Sequence, residues 1–161
     1  AWEDYPDFDF GDANDTRYGE GIYVGYRYFD SVKKQAQFPF GFGLSYTDFA
    51  ISDSAVSVAG SVVTVTSKVT NTGSVAGKEV VQLYVNRPAD KEGPIKALRG
   101  FKRVEIAAGE TVNVELPLND ETFTWWDTFT NTMIPQSGEY KLMYGGSSRN
   151  QDLKTVSITR P

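Results

Sequence analysis

The chain has 161 residues, of which 40% are hydrophobic and 23% are charged, a composition typical of one globular domain with room for an appendage. Its formal net charge of -5, from 21 acidic and 16 basic residues, argues against nucleic acid as the principal partner, because phosphate binding needs clustered Lys and Arg. The absence of Cys and His excludes disulfides, zinc sites, cysteine nucleophiles and any Ser–His or Cys–His catalytic pair. No stretch approaches the roughly 18 apolar residues of a membrane span, and no charged-then-apolar leader opens the chain, so the compartment stays open.

Residues 1–20 interleave acidic and aromatic side chains and are broken by glycine. A calcium loop of the EF-hand type beginning at Asp9 would put Glu20 at its last ligand position. The same register puts Gly11 and Ala13 where Asp or Asn is needed, and Asn14 where the turn glycine belongs. We therefore predict a solvated acidic loop anchored by its aromatic residues, with no metal site and no cofactor.

Residues 22–29 (IYVGYRYF) are rich in aromatic and β-branched side chains, a pattern that predicts a β-strand. Both faces of this strand would be large and apolar, so it would need cover on both sides. Arg27 is its one charged residue, and we expect Arg27 to pair with Asp30 or with a carboxylate upstream.

The run at 38–49 (FPFGFGLSYTDF) divides the chain into two parts of different character. Pro39 fixes the entry angle of the backbone, while Gly41 and Gly43 permit close approach and unusual φ angles beside the Phe side chains. A flexible connector would instead be rich in small and charged residues. The run predicts a packed joint between two bodies.

From Asp48 onward, apolar residues recur at every second position. Val63, Val65 and Val69 alternate with polar residues, as expected for strands with one face in a core. Turn signals separate these runs at 59–61, 71–73, 108–110, 136–138 and 145–148. About seven short strands without a convincing helical stretch predict an all-β fold, an antiparallel β-sandwich.

Phe123, Trp125 and Trp126 place three large aromatic side chains within four positions. Exposed Trp pairs can stack on sugar rings, which makes Trp125 and Trp126 the candidate carbohydrate-binding residues. The alternative is that strand alternation sends Phe123 and Trp125 into the core and leaves Trp126 at the edge.

Tyr140 follows a turn and is preceded by Ile134 and Pro135. This arrangement resembles a tyrosine corner, in which the Tyr hydroxyl bonds back to the upstream backbone. The role of Tyr140 would then be structural.

Carboxylates are the plausible catalytic groups that remain in this chain. Glycoside hydrolysis uses a carboxylate pair, roughly 5–5.5 Å apart for retention of configuration. The Asp and Glu residues lie in turns, on polar strand faces or in the acidic segment, and no two are forced into one apolar pocket that would separate their pKa values. Glu20 is a candidate general acid, but its position at a boundary between a loop and a predicted strand accounts for this residue equally well. We predict no catalytic residue in this chain.

Several runs, in one order along nearly the whole chain, resemble family 3 glycoside hydrolases, the β-glucosidase family. Residues 18–30 (YGEGIYVGYRYFD) look like the segment that leaves the α/β sandwich domain of that family, and residues 38–47 resemble its next landmark before a fibronectin type III-like domain. Further similar runs are 69–73, 77–85, 98–104, 108–111, 126–127, 138–140 and 145–148.

The resemblance implies an immunoglobulin/fibronectin type III-like β-sandwich at 48–161, preceded by an extended interdomain arm at 1–47. In this family the catalytic carboxylates lie in a TIM-like barrel and an α/β sandwich domain, so none can be carried over to this chain. Those two domains, in the same chain or in a separate one, are the implied partners, and carbohydrate is reached through the intact enzyme. The first residues lack an initiator Met and are expected to be the middle of a longer polypeptide.

The leading hypothesis is a non-catalytic auxiliary portion of a β-glucosidase that stabilises and docks the catalytic domains. The intact enzyme would release terminal β-linked glucose, with xylose or another sugar also possible. The alternatives are a free-standing carbohydrate-binding module that uses Trp125 and Trp126, or a structural β-sandwich module.

Overall fold

The computed structural model of the chain describes Asp15 and residues 18–161. Within that part the strands are β1 (Phe49–Ala59), β2 (Val62–Asn71), β3 (Gly77–Asn86), β4 (Ala97–Ile106), β5 (Thr111–Leu118), β6 (Thr124–Asp127), β7 (Thr132–Pro135), β8 (Gly138–Gly145) and β9 (Leu153–Arg160). Helix α1 (Tyr26–Ser31) and 3-10 turns at Asp120–Phe123 and Asn150–Asp152 complete the regular structure. None of the helical segments described is long and apolar enough to cross a membrane.

Seven of these strands form two antiparallel sheets packed face to face. One sheet has the order β1-β2-β5 and the other has the order β4-β3-β8-β9, while β6 and β7 pair as a separate hairpin. Two register shifts, between Ser52 and Ser54 and between Leu83 and Tyr84, bend β1 and β3 locally. The prediction of an all-β, antiparallel sandwich is confirmed.

The core lies between the two sheets and follows the alternation of the sequence. Val63, Val65 and Val69 on β2 are fully buried against Val81 and Leu83 on β3. Burial of a Val or Leu side chain stabilises the fold by roughly 1.5–3 kcal/mol. The alternation of apolar and polar residues therefore suffices to bring these two sheets together.

The predicted strand at 22–29 is wrong, because this part of the chain turns into α1 at Tyr26. The segment lies against a face of the four-stranded sheet, where its Tyr26 ring meets Tyr84, and it pairs with no strand. A face offers no backbone partner for a new strand, so the amide groups are satisfied within a helical turn instead. Of the partners expected for Arg27, Asp30 pairs with Lys96, just before β4, and the carboxylates upstream lie mostly outside the described residues.

The tyrosine corner predicted at Tyr140 is confirmed. The Tyr140 hydroxyl donates a hydrogen bond to the backbone carbonyl of Gln136 at 2.8 Å. Its ring packs edge to face on Phe123, with the centroids 5.1 Å apart. Phe123 is buried, so this contact closes the core below the hairpin of β6 and β7.

Ser67 on β2 faces the core, and its hydroxyl has no hydrogen-bond partner among the described residues. Replacing Ser67 with Ala removes a desolvated polar group at little change in volume. We expect Ser67→Ala to raise the free energy of unfolding by about 1 kcal/mol, measured by urea denaturation. The exposed Ser57→Ala on β1 is the control and should change it by less than about 0.5 kcal/mol. A clear loss of stability in Ser67→Ala would contradict this account.

Candidate functional site

Strand β3 is buried on both of its faces. Val81 and Leu83 belong to the core, while the alternating residues Gln82 and Tyr84 point away from it. Even so, Gln82 is 3% exposed and Tyr84 is 0% exposed. The outer face of β3 at these two residues is therefore covered by another part of the molecule, the described part of the arm at 18–47.

Aromatic contacts join the arm to this outer face. The Tyr26 ring packs edge to face on Tyr84, with the centroids 5.5 Å apart, and lies 5.3 Å from the ring of Phe40. The backbone N–H of Leu98 donates to the Tyr26 hydroxyl at 2.9 Å. Each aromatic pair contributes about 0.5–1.5 kcal/mol beyond the area it buries. Helix α1 and the joint are thus held on the sheet by one shared aromatic cluster.

The buried polar atoms beneath the arm are paired with one another. The Tyr84 hydroxyl donates to Oε1 of Gln82, and Nε2 of Gln82 donates to the carbonyl of Gly146 at 2.7 Å. Burial, with smaller effects from Tyr26 and Asp30, raises the pKa of Tyr84 well above its usual value. Tyr84 therefore remains a protonated donor at physiological pH, and this network stays intact.

Gly41 brings the backbone of the joint directly onto Gln82. Its φ of +81° lies in the left-handed region, and a Cβ at this position would lie 1.9 Å from Nε2 of Gln82. The neighbouring carbonyl of Phe40 accepts a hydrogen bond from the Ser148 N–H at 2.8 Å. This contact confirms the predicted close approach at Gly41. Nothing lies within 4 Å of a Cβ built at Gly43, so the predicted close approach is wrong there.

A buried ion pair fastens helix α1 to the sandwich. Nζ of Lys96 lies 2.6 Å from Oδ2 of Asp30 and 2.9 Å from Oδ1 of Asn150, and the Lys96 side chain is fully buried. Loss of one partner from a buried pair of this kind costs about 3–5 kcal/mol, because the remaining charge is left without compensation. The pair links three segments that are distant in sequence and sets the position of α1.

The end of the arm is held by Asn71 at the end of β2. The Thr47 hydroxyl donates to Oδ1 of Asn71 at 2.6 Å, and the Gly73 N–H donates to the same oxygen at 3.1 Å. Nδ2 of Asn71 donates to the carbonyls of Val75 and Ile106. All four hydrogen-bonding positions of this buried amide are used, and the entry into β1 is fixed.

The joint presents a row of apolar side chains away from the sandwich. Pro39 and Thr47 are buried and Gly41 lies on Gln82, whereas the apolar residues beside them are exposed, including the half-exposed Phe40, whose ring also meets Tyr26. We call this row the apolar ridge, and its members are Phe38, Phe40, Phe42, Leu44 and Tyr46. Leu44 is 93% exposed and Tyr46 is fully exposed. Contiguous exposed apolar residues on a fixed backbone are typical of an interaction surface.

A groove of roughly 640 Å³ lies beside the ridge, between α1, the joint and the segment at 148–151. Tyr26, Phe29 and Phe40 contribute aromatic surface, and Lys33 and Arg149 contribute positive charge. Because Phe38 and Phe40 also belong to the apolar ridge, groove and ridge form one continuous surface.

The calcium loop considered at Asp9 lies outside the described residues, apart from Asp15 and its last positions. Within the described part of the chain, no three Asp, Glu, His or Cys side chains are grouped so that they could hold a metal ion.

Trp125 and Trp126 lie on β6 and are 40% and 51% exposed. They are consecutive in a strand, so their side chains project to opposite sides, and the two rings cannot form one flat platform. The guanidinium of Arg87 lies 5.4 Å from the centre of the Trp125 ring. The expectation that Trp125 enters the core is therefore wrong, whereas Phe123 does lie there.

Comparison with known proteins identifies the domain that these strands form. The family model described as a fibronectin type III-like domain matches residues 79–148. Over 136 residues the chain is 46% identical to the xylan 1,4-β-xylosidase of Xylanibacter ruminicola, covering 83% of this chain and 15% of that enzyme. The crystal structure of a GH3 β-glucosidase from Bifidobacterium adolescentis matches with a TM-score of 0.80 and 39% identity, over 88% of this chain and 21% of that one. This chain therefore corresponds in sequence and fold to the segment of glycoside hydrolase family 3 enzymes that carries the fibronectin type III-like domain.

The resemblance to solved family 3 enzymes includes the arm as well as the sandwich. The β-glucosidase DesR from Streptomyces venezuelae, solved in complex with D-glucose, covers 96% of this chain at 36% identity, with a TM-score of 0.85. This chain covers 20% of DesR, and between 15% and 22% of the first curated relatives it matches. The matched segment of family 3 therefore includes residues on both sides of the joint.

Sequence reasoning missed the ion pair between Lys96 and Asp30. The pair joins residues that are 66 positions apart, so no local pattern connects them. One signal was available, since Lys96 lies in the otherwise apolar run 95–98 (IKAL). A lysine in such a run is buried only if it has a partner.

Glu79 at the start of β3 is the described carboxyl group whose pKa is raised by burial. Its Oε1 accepts a hydrogen bond from the Val80 N–H at 2.7 Å. This hydrogen bond lowers the pKa, but burial has the larger effect, so the pKa of Glu79 lies above the usual 4.5. The ionised form of Glu79 is therefore disfavoured in the folded chain.

We predict that Gly41→Ala releases the joint from Gln82. The new methyl group meets a hydrogen-bonded amide and forces a strained φ, so the folded state should lose about 2–3 kcal/mol. The measurements are urea denaturation and the rate of limited proteolysis at 18–47. Gly43→Ala is the matched control in the same run and should be nearly neutral. Equal behaviour of the two variants would contradict the assigned contact.

We predict that Glu79→Gln changes the pH dependence of stability. As the pH rises above 4.5, the unfolded chain ionises Glu79 before the folded chain does, so the wild-type protein loses stability through this window. Gln keeps an acceptor for the Val80 N–H and has no charge. The variant should gain stability relative to the wild type at neutral pH, and the gain should vanish below pH 4.5. A pH-independent difference in denaturation curves would contradict the assignment.

Proposed function

We propose that this chain is a non-catalytic part of a family 3 β-glycosidase, and that it docks and stabilises the domains that carry the chemistry. Those domains are the TIM-like barrel and the α/β sandwich domain, in the same polypeptide or in a separate one. The observation that carries the proposal is the apolar ridge, a row of exposed side chains on a backbone fixed at Gly41 and Thr47.

The rigid attachment of the ridge supports a docking role. Association normally costs conformational entropy, because side chains and loops become ordered at the interface. Here the backbone is already ordered by the contact of Gly41 with Gln82 and by the Lys96–Asp30 pair. The ridge therefore loses less conformational entropy when it binds a partner.

The described carboxyl groups with shifted pKa values support placing the chemistry outside this chain. Burial raises the pKa of Glu79, but its side chain folds back on the Val80 N–H within the sandwich. Hydrogen bonds from the hydroxyl and N–H of Thr130 lower the pKa of Asp127, which closes the turn between β6 and β7. Both roles are structural.

The intact enzyme is proposed to release terminal β-linked sugars, with glucose as the first expectation. DesR and the Bifidobacterium adolescentis protein are β-glucosidases, whereas the Xylanibacter ruminicola relative is a β-xylosidase. Xylose is therefore the leading alternative for the intact enzyme.

The experiment compares charged substitutions in the isolated chain and in the enzyme expressed from the complete reading frame. Leu44→Asp and Tyr46→Asp should leave the unfolding of the isolated chain nearly unchanged, because both side chains are exposed in it. In the complete enzyme each substitution should lower the free energy of unfolding by about 2–4 kcal/mol, because a charge would be buried at the interface. Thermal denaturation of both proteins, with glucosidase activity as a second readout, measures this difference.

Phe129→Asp is the matched control, since Phe129 is 96% exposed but lies on the hairpin away from the ridge. It should be neutral in both proteins. The isolated chain should hydrolyse no aryl β-glucoside, and measurable turnover by it would refute the non-catalytic role. Neutral Leu44→Asp and Tyr46→Asp in the complete enzyme would refute docking through the ridge.

A further inference from the structure

A second, smaller cavity lies at the end of the sandwich that carries the hairpin of β6 and β7. Its volume is roughly 80 Å³, and we call it the Arg87 cavity. The residues that matter for its chemistry are Arg87, Asp90, Arg99, Trp125 and Gln136. Neither the apolar ridge nor the groove beside α1 includes any of them.

The guanidinium of Arg87 is held in place at the wall of this cavity. Its Nη2 donates to Oε1 of Gln136 at 2.7 Å, and its Cζ lies 5.4 Å from the centre of the Trp125 ring. The Gln136 backbone is in turn fixed by the hydroxyl of Tyr140. Nε of Arg87 is buried and has no acceptor among the described residues. A buried, charged donor without an acceptor is rare in native structures, and its uncompensated charge adds to the positive potential at this end of the sandwich.

The charges around the cavity favour an anionic ligand. Arg87 and Arg99 contribute two positive charges, and Asp90 is the acidic residue in the lining. Oδ1 of Asp90 is already used, since it accepts hydrogen bonds from the N–H groups of Gly93 at 2.9 Å and Glu92 at 3.3 Å. A carboxylate suits a guanidinium because its two oxygens match the fork of N–H donors.

The size of the cavity limits what can enter it. A volume of 80 Å³ is about that of two to three water molecules, which admits a carboxylate group but no sugar ring. Trp125 lines the cavity and is 40% exposed, so part of its ring is open to solvent. The apolar face of a pyranose can pack on such a ring while a substituent reaches inward.

We propose that the Arg87 cavity binds the carboxylate of a uronic acid residue in an acidic polysaccharide, with Trp125 packing against the sugar ring. Arg87 and Arg99 supply the positive charge, and Gln136 holds the Arg87 guanidinium in position. This site uses one tryptophan, so it does not require Trp125 and Trp126 to form a common platform. The inference does not depend on the docking role of the ridge.

The test titrates the 161-residue chain with three small probes, followed by NMR chemical shifts of the Trp indole N–H groups. D-Glucuronate carries both ring and carboxylate, D-glucose carries the same ring without the carboxylate, and acetate carries the carboxylate without a ring. We expect saturable millimolar binding of glucuronate, at least tenfold weaker binding of acetate and no saturation by glucose.

Variants then assign the binding to the cavity. Arg87→Lys keeps the charge but lacks Nε and the planar fork, and Trp125→Ala removes the ring, so each should weaken glucuronate binding at least tenfold. Trp126→Ala is the control on the opposite side of β6 and should bind as the wild type does. The probe comparison on the wild-type chain stays decisive if a variant does not fold.

Several outcomes would overturn the proposal. Acetate binding as tightly as glucuronate would leave a simple anion site, and equal binding of glucose would make the carboxylate irrelevant. Loss of binding in Trp126→Ala rather than Trp125→Ala would place the sugar elsewhere. If glucuronate shows no saturable binding, the cavity does not bind a uronic acid. The acceptor for Arg87 would then be another group, such as a protein carboxylate from an adjoining domain.

Discussion

The burial of β3 on both faces is the constraint on which the rest of this structure depends. Its inward residues join an ordinary sandwich core, but its outward residues include Gln82 and Tyr84, which are also removed from water. Their polar atoms must be satisfied within the protein, since an unpaired buried group costs about 1–3 kcal/mol. Tyr84 bonds to Gln82, and Gln82 bonds to Gly146, beneath a cover of arm residues.

The arm that provides this cover has an inward side that contacts the sheet and an outward side that is exposed. Its inward side is small or polar where it meets the sheet, with Gly41 on Gln82 and Thr47 on Asn71. Its outward side is the apolar ridge, which an isolated domain has no reason to keep exposed. The same extended backbone thus satisfies the sheet and presents a rigid apolar surface. This division of the arm explains why aromatic residues and glycine alternate so closely in the run 38–47.

Local patterns predicted the strands of the sandwich because the alternation of apolar and polar residues is a property of each strand by itself. Period-two alternation along β2 and β5 reproduces the buried positions in the core, and the turn signals lie where strands reverse. Helix α1 could not be predicted in this way. Its residues have strand-like composition, and their conformation depends on meeting the face of a sheet that is formed by residues much later in the chain.

The sequence by itself determined the fold class, the packed joint at Gly41 and the absence of thiol and imidazole chemistry, since each follows from residue type or short-range spacing. The tertiary structure alone decided that Lys96 pairs with Asp30 and that Arg87 lies against Trp125 with an unpaired Nε. These contacts join segments far apart in the sequence, and their geometry is set by the packing of whole sheets. Short-range spacing does not predict such contacts, because the two partners come together only when the sheets pack against each other.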